Sequence, residues 1–305
     1  MSDDRIKTVT DEDRERIGGK KVILGMSGGK DSTAMAIHMR ENGIEFEPVF
    51  MDTGWEHEDT YKYVTEVLEP LFGPIRTLRS KKWPGGMVEA VRYKGMFPSR
   101  MLRWCTQELK VYPLRDYIRE VGPENVVSLV GIRAAESGAR SKMPRWEFNK
   151  TYKCDVWRPL IGWCDQDVID AHLRAGVSPN PLYIRGAGYS RVGCYPCIMA
   201  RKKELAQVAT DSPERIDLIR QLEADAWEKT KARKEAKGEP PPKQRPSMFQ
   251  DRTSRTGETW PIDKVVDWAK TAHGGKQREL FAPSEVEEAG CVRWGLCEAM
   301  QGDDE

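Results

Sequence analysis

Residues 27–32 read Ser-Gly-Gly-Lys-Asp-Ser and follow the apolar run Val22-Ile23-Leu24-Gly25-Met26. A buried strand that turns through two glycines into a helix aims backbone N–H groups and a helix N-terminus at one point, which suits an anion. Gly28 and Gly29 let the backbone approach phosphate oxygens closely, Lys30 adds positive charge, and Ser27 and Ser32 add hydroxyl donors. The expectation is a nucleotide-phosphate site. The spacing is neither Gly-x-x-x-x-Gly-Lys-Ser/Thr nor Gly-x-Gly-x-x-Gly, so neither a Walker loop nor a dinucleotide fingerprint is present. Asp31 suits either a Mg²⁺ ion or a helix cap.

Cysteine supplies the second chemistry. Cys194-Tyr195-Pro196-Cys197 places two sulfurs two residues apart, the spacing of a metal or cluster turn. Zinc and a redox dithiol are the rivals, and none of the four histidines lies near this turn in sequence. Cys105 stands alone after Trp104; Cys154 and Cys164 read as buried filler; Cys291 and Cys297 lie near the end.

Elements must bring these groups together. Val22–Met26, Phe46–Met51 and Val126–Val130 read as strands, with Pro48 pointing to an edge or a strand start. Thr33–Arg40 and Asp59–Leu71 have helical spacing. The alternation predicts an α/β fold, a parallel twisted sheet with helices on both faces. Ligands of such sheets bind at the carboxyl ends of the strands, so the loop at 27–32, Asp52-Thr53-Gly54 and Gly131-Ile132-Arg133 are expected on one rim. Two units are expected: residues 17–205, a nucleotide-binding domain with the cysteines, and residues 206–305, a helical and irregular extension. The extension holds a charged helix over Ser212–Ala236, the stiff connector Glu239-Pro240-Pro241-Pro242, a short helix over Asp263–Thr271 and the Cys291/Cys297 tail.

The chain has 305 residues, with 49 Lys and Arg against 48 Asp and Glu, so overall charge does not mark a nucleic-acid binder. No run is long and apolar enough for a membrane span, and the charged segment from Met1 to Arg16 does not read as a signal peptide. A soluble cytoplasmic protein is the expectation, and there seven cysteines favour metal or catalytic roles over disulfides. The stretch Lys229–Arg255 is rich in Lys and Arg and has Trp227 and Phe249 near it, which admits a nucleic-acid acceptor, although a solvated charged helix is the commoner meaning.

The loop at 27–32 resembles the signature of the PP-loop ATP pyrophosphatases. Met51-Asp52-Thr53-Gly54, the segment from Gly131 to Arg140, Trp157-Arg158-Pro159-Leu160-Ile161-Gly162-Trp163, and Asn180-Pro181-Leu182-Tyr183 with Gly188 to Cys194 resemble, in order, the phosphoadenosine phosphosulfate reductase family. The resemblance implies an adenine nucleotide α-hydrolase-like fold. It implies ATP and Mg²⁺ as cofactors, with Ser27, Gly28, Gly29, Lys30, Asp31 and Ser32 at the phosphates, Asp52, Thr53 and Gly131 lining the nucleotide, and Lys30, Asp31, Arg133 and Arg140 in catalysis. It further implies a 4Fe–4S cluster on Cys105, Cys194 and Cys197, with Thr106 where adenylyl-sulfate reductases carry a second cysteine, and Cys297 as the fourth ligand, Cys291 being the next choice. The reductases' loops are degenerate whereas this one is intact, so the resemblance favours the ATP-dependent sulfurtransferase members, including the DNA phosphorothioation enzymes. Adenylyl-sulfate reduction and a non-enzymatic subunit with structural zinc are the alternatives. A sulfur donor or reductant protein is an implied partner.

Overall fold

The computed structural model describes residues 7–185, 189–250 and 258–271. Helix α1 (Asp11–Ile17) leads into strand β1 (Lys21–Gly25), helix α2 (Lys30–Glu41) and strand β2 (Glu47–Met51). Helix α3 (Glu58–Lys62) widens into a π-helical segment over Tyr63–Leu68 and closes as α4 (Glu69–Phe72). This is the helix expected over Asp59–Leu71, and Pro70, which has no N–H to donate, coincides with its altered hydrogen-bond spacing. Strand β3 (Arg76–Leu78), helix α5 (Gly86–Lys94), the short helix α6 (Trp104–Thr106), a π segment over Gln107–Val111 and helix α7 (Tyr112–Val121) follow. Strands β4 (Val126–Leu129), β5 (Trp146–Asn149) and β6 (Cys154–Trp157) complete the sheet, and helix α8 (Asp165–Ala175) leaves it.

The six strands are ordered β3-β2-β1-β4-β6-β5 and are parallel except for β5, which pairs antiparallel with β6. Both faces are covered, which explains why β1 and β4 are almost continuously apolar. On one face Leu24, Phe50 and Leu129 pack with Met35, Met39 and Val168 of α2 and α8. On the other, Ile23, Val49 and Val126 pack with Leu114 and Ile118 of α7. β2 lies inside the sheet, so Pro48 marks a strand start and not an edge: β3 joins it only from Val49 onward.

The chain runs outward from β1 through β2 to β3, then returns to place β4 on the other side of β1. That reversal opens a crevice beyond the carboxyl ends of β1 and β4, the usual ligand position in open α/β sheets. The loop at 27–32 follows β1 and Gly131–Arg133 follows β4, so both stand at the crevice.

Beyond the sheet, α9 (Lys202–Asp211), α10 (Pro213–Glu235) and α11 (Ile262–Ala269) pack with α5 in a separate core that contains Trp55, Trp83, Trp104, Leu205, Ile219 and Leu222. Cys105, Cys194 and Cys197 lie against this same core. The 205/206 boundary expected from the sequence falls inside α9. No helix among the described residues is long and apolar enough to cross a membrane.

Candidate functional site

Gly28 takes φ +71°, and a Cβ there would sit 2.9 Å from Thr60 Cγ2, so the turn out of β1 excludes any side chain. Gly29 caps α2 without a side-chain bond, leaving the helix start without the usual capping oxygen. Ser27 Oγ and Ser32 Oγ lie 3.1 Å apart, and Ser32 Oγ also bonds the Gly29 carbonyl at 2.9 Å. The loop is clamped from outside as well. Tyr183 hydroxyl accepts the Lys30 N–H at 3.1 Å, and Asn180 donates to the Gly28 carbonyl at 3.1 Å. Burial pushes the Tyr183 phenol well above its ordinary range, so it stays neutral. His172, buried on α8, sets Nε2 3.0 Å from the Lys30 carbonyl. Burial lowers its pKa.

Four charges meet beside this loop. Lys30 Nζ lies 3.2 Å from Asp31 Oδ1 and 3.0 Å from Asp165 Oδ1. Arg133 Nε lies 2.6 Å from Asp31 Oδ1, and its Nη2 lies 2.9 Å from Asp165 Oδ1. Burial disfavours the Arg133 charge, but Asp31 and Asp165 outweigh it and hold the guanidinium pKa above its ordinary value. The third nitrogen, Nη1, is buried and has no hydrogen-bond partner among the described residues. An orphaned guanidinium N–H is costly to bury, and an anionic ligand is the group that would satisfy it.

Of the two uses expected of Asp31, the helix cap is absent. Its carboxylate is instead engaged by two cations, Lys30 and Arg133. Arg140 is tied to Glu136 by an ion pair and makes none to Asp31 or Asp165 among the described residues. Gly131 belongs to the crevice: a Cβ on it would sit 3.3 Å from the Asp31 carbonyl.

Asp52 and Thr53 are buried on the same rim. Asp52 pairs with Arg79 at 2.5 Å and accepts from the Tyr61 hydroxyl at 2.8 Å. Thr53 donates through its hydroxyl to Glu56 at 2.7 Å. Their side chains shape this wall from behind, and the loop they brace includes Gly54, held by Asp52 through its N–H at 2.8 Å. Sequence reasoning missed Asp165, Glu56 and His172. The first two flank recognised motifs, Trp157–Trp163 and Met51–Gly54, a signal that could have found them.

The cysteine loop stands against this rim. Glu56 and Cys194 form an antiparallel bridge, Tyr195 N–H donates to the Trp55 carbonyl at 2.7 Å, and Trp55 Nε1 donates to the Pro196 carbonyl at 3.0 Å. Cys197 lies close enough to disfavour ionisation of Cys105, and both lie close enough to disfavour that of Cys194. Burial above all pushes the Cys194 thiol up to about 11. Lys110 faces Cys194, which together with Glu56 raises its pKa, so it stays charged. Three sulfurs beside one half-buried cation are a donor set that fits a thiolate-bound, negatively charged cluster. Their positions do not form a ready site for a single metal ion, and no such group of His, Cys, Asp or Glu occurs among the described residues. Cys154 is buried at the start of strand β6, as expected, whereas Cys164 is exposed at the start of α8. Cys291 and Cys297 lie outside the described residues.

Residues 21–200 match the phosphoadenosine phosphosulfate reductase domain. A protein of Escherichia phage 186, described as an uncharacterized 37.8 kDa protein, is 34% identical over 329 residues, covering 90% of this chain and 96% of that one. Adenosine 5′-phosphosulfate reductase of Geobacillus thermodenitrificans is 24% identical over 179 residues, covering 59% of this chain and 73% of that one. Among solved structures, phosphoadenylyl-sulfate reductase of Candida auris aligns with a TM-score of 0.46 and 18% identity, covering 58% of this chain and 82% of that one. The chain belongs to the phosphoadenosine phosphosulfate reductase family.

Proposed function

We propose that the protein is an ATP-dependent, adenylating sulfurtransferase. The observation that carries this reading is the intact Ser27–Ser32 loop facing buried Arg133, whose Nη1 lacks a partner among the described residues. A triphosphate laid across the crevice would give that nitrogen an anion and would draw Lys30 and Arg133 from carboxylate to phosphate oxygens. The start of α2, Ser27 and Ser32 would hold the β- and γ-phosphates, with Gly28 and Gly29 admitting them. Asp52 and Thr53, through the loop they brace, would shape the nucleotide wall beside Gly131.

In the reaction proposed, an acceptor oxygen attacks the α-phosphorus, the bond from that phosphorus to the bridging oxygen breaks, and pyrophosphate leaves. Arg133 and Lys30 would stabilise the charge that builds on the phosphate oxygens. A sulfur nucleophile at the oxidation level of hydrosulfide then bonds to the activated acceptor atom, and AMP leaves with the acceptor's oxygen. No external reductant is needed for that balance. Asp31 and Asp165 act as positioning residues, holding both cations in place before ATP arrives. Arg140 would meet the acceptor or the α-phosphate only after exchanging its Glu136 partner. Cys105, Cys194 and Cys197 would hold a 4Fe–4S cluster, with Cys297 proposed as the fourth ligand. When bound, such a cluster supplies electrons or a site for sulfide.

The test is anaerobic purification with iron and sulfide analysis, then addition of ATP, candidate acceptors and sulfide, with detection of AMP and pyrophosphate. Iron-containing protein that releases both products is the expected result. Indifference to ATP combined with sulfite release from adenylyl sulfate would establish the reductase reading instead, which the Geobacillus relative favours.

A further inference from the structure

A groove of about 800 Å³ runs between the α5–α6 region and α10, outside the nucleotide crevice. Its walls include Tyr93, Lys94, Leu102, Trp104, Lys229 and Arg233. The two sides are pinned together below it by Thr230 Oγ1, which donates to the Gly95 carbonyl at 2.7 Å.

The chemistry of these walls is unusual for a protein surface. Tyr93 is 67% exposed and Leu102 51%, and Met101 beside it is 93% exposed. These are three of the five large hydrophobic side chains exposed among the described residues. Cations alternate with the rings: Lys94 Nζ lies 5.1 Å from the Trp104 ring centre, and Lys229 Nζ lies 5.8 Å from that of Tyr93. Lys94 is neutralised by Glu108 at 2.8 Å. Lys229 and Arg233 have no carboxylate partner among the described residues, Arg233 donating to the Lys94 carbonyl at 3.3 Å, so the groove keeps a net positive charge. Trp104 adds an indole N–H that is buried without a partner among the described residues, and the next residue is Cys105.

We infer that this groove binds single-stranded nucleic acid and leads it toward the cysteine loop. Free cations suit the phosphate backbone, and an exposed ring flanked by a cation suits a stacked, unpaired base. A duplex hides its base faces and could not use Tyr93 in this way. The inference deepens the adenylating reading, on which it rests, by naming the class of acceptor.

The test is fluorescence anisotropy of a labelled single-stranded oligonucleotide, DNA and RNA in turn, titrated with the full chain without ATP at several salt concentrations. Binding that weakens with salt is expected. Tyr93→Ala should weaken it about tenfold through lost stacking. The pair Lys229→Gln and Arg233→Gln should flatten the logarithmic salt slope by about 1.4, the value for two phosphate contacts on a single strand. Circular dichroism of each variant checks the fold. Absence of binding, or equal binding of duplex and heparin with Tyr93→Ala inert, overturns the inference. If the oligonucleotide binds and the variants behave as stated, yet ATP never yields AMP, the groove stands and the adenylation reading fails. If ATP is cleaved with a small acceptor while no oligonucleotide binds, the groove fails and the adenylation reading stands.

Discussion

Replacing Arg133 by Met separates the structural use of this side chain from its proposed chemical one. Methionine keeps an unbranched apolar stem of similar reach and removes the guanidinium. Breaking a well-buried ion pair by deleting one partner costs about 3–5 kcal/mol. Here the loss is smaller, because Asp31 keeps Lys30 at 3.2 Å and the Asp165 side chain is 53% exposed and can be hydrated. The orphaned Nη1 also disappears, which returns part of the cost. A net destabilisation of about 1–2 kcal/mol is expected from solvent screening of the surviving carboxylate. Turnover should fall far more, since a preorganised donor to transition-state charge is worth about 100- to 1,000-fold. Urea unfolding gives the first quantity, and pyrophosphate release with a competent acceptor gives the second. Arg133→Lys should regain most of the stability but little of the turnover, because a point charge cannot serve Asp31, Asp165 and a phosphate at once. Turnover of Arg133→Met within threefold of the parent at saturating ATP would refute the assignment and leave Arg133 as a buttress for Asp31.

Three further outcomes follow from geometry. Gly86 has φ +67°, and a Cβ on it would lie 2.2 Å from the Thr53 carbonyl oxygen, whereas Gly43 has φ +64° with nothing within 4 Å. Gly43→Ala should therefore cost about 1–2 kcal/mol for the left-handed backbone alone, and Gly86→Ala at least about 2 kcal/mol more, read by urea unfolding. Glu47 would be raised by burial, but Lys21, Tyr117 and Arg76 prevail and hold its carboxyl down at about 2, against an ordinary 4.5. Its contribution, about 3 kcal/mol, is complete above pH 4.5 and is lost as pH falls toward 2, so Glu47→Gln should flatten stability over that window in denaturation at stepped pH. Cys105→Ser, Cys194→Ser and Cys197→Ser should each lower iron and sulfide in anaerobically isolated protein, while exposed Cys164→Ser should not; equal iron in all four would remove these cysteines from the cluster.

The sheet was legible because β1 and β4 sit between helices on both faces and so carry unbroken apolar runs, while the loop after β1 carries turn glycines and charge in one short stretch. The carboxyl-end rim followed from strand direction alone, and the structure brings 27–32, Asp52–Gly54 and Gly131–Arg133 to it. The partners of those residues were not legible. Asp165 reaches Lys30 across 135 positions and His172 reaches it across 142, and no local pattern encodes such a meeting. Cys164 looked like buried filler because a lone cysteine usually is, yet at the start of α8 it is exposed. The charged stretch after Lys229 was ambiguous for the opposite reason. Its composition fits a solvated helix face, and only the placement of α10 against α5 sets Lys229 and Arg233 beside Tyr93.

Glu56 shows how the nucleotide rim and the cysteine loop are made one piece. Its carboxylate is 3% exposed as a residue and accepts from Thr53 N–H at 3.1 Å, Thr53 Oγ1 at 2.7 Å, Trp55 N–H at 3.1 Å and Tyr61 hydroxyl at 3.2 Å. Three of these donors are undivided, the Tyr61 proton being shared with Asp52, and they leave the buried acid little freedom to turn, since each lost bond would leave a buried acceptor unsatisfied. The backbone of the same residue bridges Cys194, and the Val192 carbonyl comes within 3.2 Å of where a Gly29 side chain would begin. A displacement of the loop at 27–32 therefore presses on the segment that carries two of the three cysteines, and the Asp52–Glu56 turn holds that segment from the other side. In the proposed two-step reaction of activation and then sulfur delivery, the activated acceptor would have to meet sulfur before water does. On that proposal, a rigid strut between the crevice and the cysteine loop would hold them at a fixed separation without a large domain movement, because they share a wall.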